Sequence, residues 1–145
     1  ASDGALLNEI ASAAGRGAWA IHHLSIGALA ALHERARVVV GMDSGALHLA
    51  AAVGAPVVGL YGPFGADRVA PLGPVTRVRA IWRSLPCSPC GTLEAPPCGA
   101  SHDPPCLLAV SVEDVIQSAV ELDGMSDAVG RAWLPPDSSI GALGT

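Results

Sequence analysis

Two short apolar runs constrain the fold more than anything else in this chain. Residues 37–42 read RVVVGM and residues 55–61 read APVVGLY, with only twelve residues between them. Strands that are apolar at successive positions belong in a sheet covered on both faces. The connection, GALHLAAAV over residues 45–53 closed by Gly54, has the composition of a helix rather than a hairpin. Strand, helix and strand in this order predict a parallel pair joined by a crossover, and hence an α/β fold.

The rest of the chain fits the same class. Residues 3–15 predict a short helix with Leu6, Leu7, Ile10 and Ala14 on one face, ended by Gly15. Residues 18–21 (AWAI) form a strand candidate. Residues 24–37 predict a helix capped by Ser25, with Ile26, Leu29, Ala30 and Leu32 as its apolar stripe. His33 near its end reads as a solvated surface residue. Residues 62–74 form a loop rich in glycine and proline, and residues 75–81 predict a further, less buried strand. Residues 84–106 carry six prolines and all four cysteines and read as loop. A last helix opens at Ser111, a cap followed by Glu113 and Asp114 in the first turn, with Val112, Val115, Ile116 and Ala119 facing inward. Residues 1–122 are thus expected to be one partial domain, and residues 123–145 a poorly ordered tail.

Composition excludes several classes of function. Half the residues are apolar and thirteen acids outnumber eight arginines, lysine being absent, for a formal net charge of −5. A nucleic-acid binder needs the opposite balance. No run of about 18 apolar residues exists that could cross a bilayer. No basic segment followed by an apolar one opens the chain, so no secretory signal is read, and a start at Ala1 rather than methionine suits a piece of a longer protein.

Chemistry concentrates at the corner between the two runs, GMDSGALH over residues 41–48. In open parallel sheets ligands sit beyond the carboxyl ends of strands, where the next helix begins. The first helical turn has unpaired N–H groups and the positive end of the dipole. Gly45 lets a ligand approach the backbone, Ser44 adds a hydroxyl, and His48 leans back toward the same space. These features make a phosphate cradle. Asp43 would repel a bare phosphate and suits sugar hydroxyls instead, or a helix cap. The residues alone leave both readings open.

The longer stretch VVVGMDSGALHLAAAVGAPVVGLYGP resembles the signature of glycosyltransferase family 9, the family of ADP-heptose:lipopolysaccharide heptosyltransferases. LSIGALAALHERAR upstream, RVAPLGP downstream, and CSPC followed by one further cysteine and then CLLAVSVEDV extend the likeness over residues 3–120. The resemblance implies a Rossmann-like parallel sheet, part of the carboxyl-terminal, donor-binding domain of a GT-B glycosyltransferase. Asp43, Ser44, Gly45 and His48 would contact the diphosphate and sugar of a nucleotide-diphosphate sugar resembling ADP-heptose. Leu24 would pack on the nucleobase and Asp3 would bond ribose hydroxyls. His22 and His23 before Leu24 depart from the pattern. The general base would lie in an amino-terminal domain that also binds the glycan or lipid-linked acceptor. The transfer would need no cofactor and take place in the cytoplasm, at the inner face of the bacterial inner membrane. Arg68, Arg77, Arg79 and Arg83 could assist with phosphates or form a solvated face.

Cys87, Cys90, Cys98 and Cys106, spaced x2, x7 and x7, have the ligand number of a structural zinc site, with His102 as a fifth candidate. Reduced thiols or disulfides are the competing reading. Two other functions stay open: a fragment of a nucleotide-sugar 2-epimerase, which shares the GT-B fold, and a non-enzymatic module that binds metal through its four cysteines.

Overall fold

A computed structural model describes residues 3–73, 77–92, 94–99 and 103–130. Its centre is a parallel sheet of three strands, β1 (Val39–Met42), β2 (Val57–Leu60) and β3 (Val78–Ile81), in the order β1-β2-β3. The register is in step, with Val39 opposite Val57 and Val57 opposite Val78. Among the described residues the helices are α1 (Asp3–Ala14), α2 (Ile26–Glu34), α3 (Gly45–Ala52), α4 (Ala66–Val69), α5 (Pro105–Leu108) and α6 (Val112–Gly130). The expected α/β class and Rossmann-like parallel sheet are what the chain forms.

The crossover α3 covers one face of the sheet. Leu47 and Ala50 point down from it onto Ala55, Val57, Tyr61 and Ala66, all buried. The opposite face is covered by α6, where Leu122 meets Val58 and Ile81, with Val115 and Ala119 packed beside them. Helices α2 and α6 begin as their sequences direct. In α2 the Ser25 hydroxyl accepts from Ala28 N–H at 3.2 Å. At α6 the Ser111 hydroxyl accepts from Asp114 N–H at 3.1 Å, while the Asp114 carboxylate accepts from Ser111 N–H at 3.1 Å. This is a reciprocal capping box with aspartate in the usual glutamate place. These contacts, led by the Ser111 hydroxyl and helped by the Arg83 guanidinium, hold the Asp114 carboxyl below its ordinary range.

Several expectations are corrected. Residues 18–21 are not a strand, since a strand needs a hydrogen-bonding neighbour and none of the described strands runs beside them. β1 is not covered on both faces. Val40 and Met42 are about half exposed because α6 lies across β2 and β3, beyond their reach. For the same reason Val112 and Ile116 of α6 face outward, leaving Val115, Ala119 and Leu122 to form its buried stripe. Leu6, Leu7 and Ile10 of α1, and Ile26 and Leu32 of α2, are exposed. His33 is part-buried and its Nε2 is closed off from solvent, so it is not the solvated residue expected.

Helix α6 also runs on to Gly130, eight residues past the expected limit at 122. Asp123 and Met125 tie the start of the extension to the sheet: the first pairs with Arg37, two residues before β1, and the second places its sulfur 3.7 Å from Arg79 of β3. Residues 131–145 of the expected tail lie outside the described residues. The loop expected over residues 62–74 contains one helical turn, α4, and that expected over 84–106 ends in another, α5.

Candidate functional site

The DSG corner sits at the carboxyl ends of β1 and β2. Pairing continues one residue past each strand end: Asp43 N–H donates to Leu60 O at 3.2 Å, and Tyr61 N–H donates to Ile81 O at 2.9 Å. The chain then turns into α3 through Ser44, an extended N-cap with φ −162° and ψ 159°. Ser44 O accepts from Leu47 and His48 N–H at 3.1 and 3.3 Å. The N–H groups of Gly45 and Ala46 have no helical carbonyl ahead of them, as at any helix start.

Capping does not account for the polar residues here. Ser44 occupies the N-cap position, yet its hydroxyl makes no cap hydrogen bond. Among the described residues nothing donates to the Asp43 carboxylate either, and both side chains are exposed. Gly45 is equally unexplained by packing. A Cβ built there meets no atom within 4 Å, and its backbone is not left-handed. His48, on the fourth position of α3, is exposed on the same turn, and helical side chains lean toward the amino end. A hydroxyl, an imidazole, two helix-start N–H groups and a carboxylate thus stand exposed around the start of α3.

Tyr61 lies beneath the corner and has no counterpart in the expected site. It is 1 % exposed and its hydroxyl is buried without a partner among the described residues. Burial, and secondarily the Asp43 charge, push its pKa up to about 12. The unfolded tyrosine ionises near pH 10. Below that pH both states hold the proton, and between about 10 and 12 only the unfolded state loses it. Stability is thus expected to fall by about 2–3 kcal/mol across this window. Tyr61→Phe should abolish the alkaline loss and, by removing an orphaned hydroxyl, raise neutral-pH stability by about 1–3 kcal/mol. Urea titrations at pH 7 and pH 11 check both. A Tyr61→Phe protein less stable than wild type at pH 7 would contradict this account.

The other expected site residues fall into three groups. Leu24, 41 % exposed, stands just before the Ser25 cap. Asp3 is the first residue of α1, its side chain outside the description. The fold brings these two regions together: a Cβ on Gly4 would lie 3.6 Å from the His22 ring, two residues before Leu24. His23 between them has φ +56°, an uncommon backbone state for a residue with a side chain. Of the arginines, Arg77 donates to Gly54 O at 2.9 Å, Arg79 contacts Met125 and Arg83 pairs with Asp114. These three serve the fold. Arg68, exposed on α4, makes no such contact among the described residues. Arg79 and Arg83 also line an open groove of about 340 Å³ between β3 and α6, with Trp82, Asp114 and Glu121.

The cysteines are all free thiols. Burial, with the Cys98 and Cys90 sulfurs as lesser causes, pushes the Cys87 thiol up, whereas Cys106 is buried in α5 beside Gly62. Among the described residues, no three His, Cys, Asp or Glu side chains stand close enough to hold a metal ion. His102 lies outside them. A zinc site made from the four cysteines would require the loop to draw together from this arrangement.

No helix among the described residues is long and apolar enough to cross a membrane. No curated protein and no solved structure matches the chain. A family model, glycosyltransferase family 9 (heptosyltransferase), matches residues 11–96. That span takes in Leu24, the DSG corner and the sheet, and more than half of the chain. The chain belongs to glycosyltransferase family 9.

Proposed function

We propose that the corner formed by Asp43, Ser44, Gly45 and His48 holds the donor of a glycosyl transfer, a nucleotide-diphosphate sugar resembling ADP-heptose. The observation that carries this is the uncommitted state of the corner, a helix start whose serine does not cap and whose glycine no neighbour requires. In the transfer, the bond between the sugar's anomeric carbon and the distal phosphate oxygen breaks, and the acceptor hydroxyl oxygen takes its place. Negative charge builds on the departing diphosphate. In this reading the helix start, the Ser44 hydroxyl and the His48 imidazole receive it, which favours the transition state over the bound donor. Asp43 accepts from sugar hydroxyls beside the phosphates, where its charge is tolerated because it meets donors rather than phosphate oxygens.

Leu24 and Asp3 serve the base and ribose in this reading. The acceptor is a lipopolysaccharide-type glycan, held by a second domain that also supplies the base for its hydroxyl proton. The reaction takes place in the cytoplasm, at the inner face of the inner membrane. Alone, these 145 residues bind donor without turning it over.

Calorimetry with ADP and an ADP-sugar tests the assignment. Wild type should bind both, and Asp43→Ala should weaken the ADP-sugar about tenfold while changing ADP by less than about threefold. This is the loss of roughly one hydrogen bond to a charged acceptor. No heat at millimolar ligand from a folded wild-type protein would refute the site.

A further inference from the structure

The open groove between β3 and α6 takes no part in the donor corner, and its two ends differ. Arg83 and Arg79, four residues apart and hence about 13 Å along an extended chain, mark them. Arg83 is committed. Its guanidinium pairs with Asp114, whose carboxylate also accepts from the N–H and the hydroxyl of Ser111. Arg79 is part-buried, and among the described residues its guanidinium meets only the sulfur of Met125, a weak acceptor. Four of a guanidinium's five N–H donors are thus left without a protein acceptor. A cation partly out of water is best satisfied by an anion that accepts charge-assisted hydrogen bonds. Between the arginines, α6 lines the groove with Gln117, Ser118 and Glu121. The Gln117 amide donates to the Glu121 carboxylate at 3.1 Å, which orients both and leaves an amide carbonyl, an amide N–H and a carboxylate oxygen unused. Ser118 is half-buried, and its hydroxyl makes no hydrogen bond among the described residues.

We propose that this groove binds an anionic sugar, its carboxylate or phosphate at Arg79 and Ser118 and its ring hydroxyls at Gln117 and Glu121. Donors and acceptors side by side suit hydroxyls, each of which donates one hydrogen bond and accepts others. Glu121 repels a polyanion that carries no hydroxyls, and the polar wall gives an apolar ligand little to bury against. The volume, about 340 Å³, is at the small end of ligand sites and suits one sugar unit rather than a long chain. The groove lies on the face of the sheet covered by α6, whereas the donor corner stands at the start of α3, the helix on the opposite face. Its ligand is therefore separate from the nucleotide-diphosphate sugar. An acidic sugar held here would anchor a glycan apart from the reacting hydroxyl.

Amide chemical shifts of the full chain, followed by NMR during titration with sodium glucuronate and with glucose 6-phosphate, test this. At least one of the two should move the Ala80 and Ser118 signals and saturate, and the tighter binder identifies the anion. Glucose has the hydroxyls without the charge, and inorganic phosphate the charge without the hydroxyls. Each should bind at least about tenfold more weakly than that sugar anion. Arg79→Gln should weaken the sugar anion at least about tenfold, the loss of one hydrogen bond to a charged group. Glu121→Ala, on the exposed side of α6, should weaken the sugar anion and tighten inorganic phosphate, because it removes a hydroxyl acceptor and a repelling charge together. No saturable shift with either sugar anion would overturn the proposal. So would glucose or phosphate binding as tightly, undiminished binding by Arg79→Gln, phosphate unchanged in Glu121→Ala, or shifts centred on Gly45 and His48 instead. None of these readouts uses ADP or an ADP-sugar, so the donor assignment and this one fail separately.

Discussion

Gly59→Ala is expected to lower stability by about 3 kcal/mol, the upper part of the range for overpacking a core. Gly59 lies in the central strand with no unusual backbone angle, and the cost comes from space. Its Cβ would stand 2.5 Å from Tyr61 Oη, 2.6 Å from Tyr61 Cε2 and 2.8 Å from Leu47 Cδ2. Neither neighbour can move away cheaply, because Tyr61 and Leu47 are among the largest fully buried side chains. Tyr61 curls back over the strand and Leu47 descends from α3, and both need the gap that the glycine leaves. Urea unfolding of Gly59→Ala, Tyr61→Leu and the double variant forms a cycle that tests this. Making room with Tyr61→Leu should recover at least about 1 kcal/mol of the Gly59→Ala loss, as expected for residues in contact. Additive losses would show that the strain lies elsewhere. Gly45→Ala is the control. Its Cβ meets nothing, so stability should stay within about 0.5 kcal/mol of wild type.

The architecture is legible in the sequence where one local pattern meets no competing demand. The runs around Val39 and Val57 need only their own apolarity and the helix between them to predict parallel pairing, and they pair in that way. Ser25 and Ser111 predict their helix starts because capping is a contact between residues three apart. The features that differ depend on distant partners. Residues 18–21 have strand composition, but composition cannot supply a neighbouring strand. Val112 and Ile116 fit an inward helical stripe, but the direction in which α6 crosses the sheet is set by β2 and β3. The end of α6 is hidden from local pattern because Arg37, 86 residues away, holds Asp123.

At the site, sequence order indicates that Asp43, Ser44, Gly45 and His48 share a helix start, since all lie within about one turn. It cannot decide between a cap and a ligand-facing set, which depends on where the Ser44 hydroxyl goes. Tyr61 escapes notice because it reads as one more apolar strand residue. The signal that could find it is a tyrosine two residues after a strand glycine, where a ring can fold back over the missing side chain.

Ser44→Ala and His48→Ala should each weaken ADP about tenfold, and together up to about a hundredfold, if the corner receives the diphosphate. A hydrogen bond to a charged group contributes about 1.5–3 kcal/mol, and a loss of about 1.4 kcal/mol is tenfold in affinity. The lower end applies because both side chains are exposed and water competes for the phosphate oxygens. The pair falls short of a full hundredfold if both bond the same oxygen, so the double variant reports how they divide the diphosphate. Stability separates this from a folding effect. Neither side chain makes a hydrogen bond within the described structure, so melting temperatures should be unchanged. The choice of ligand localises the loss. Adenosine places nothing at the helix start and should bind the variants as it binds wild type, while ADP and ADP-sugar should weaken in parallel. If adenosine weakens as much as ADP, the corner acts through the nucleoside pocket. If ADP binds both variants undiminished, the diphosphate lies elsewhere and the free hydroxyl of Ser44 has another purpose.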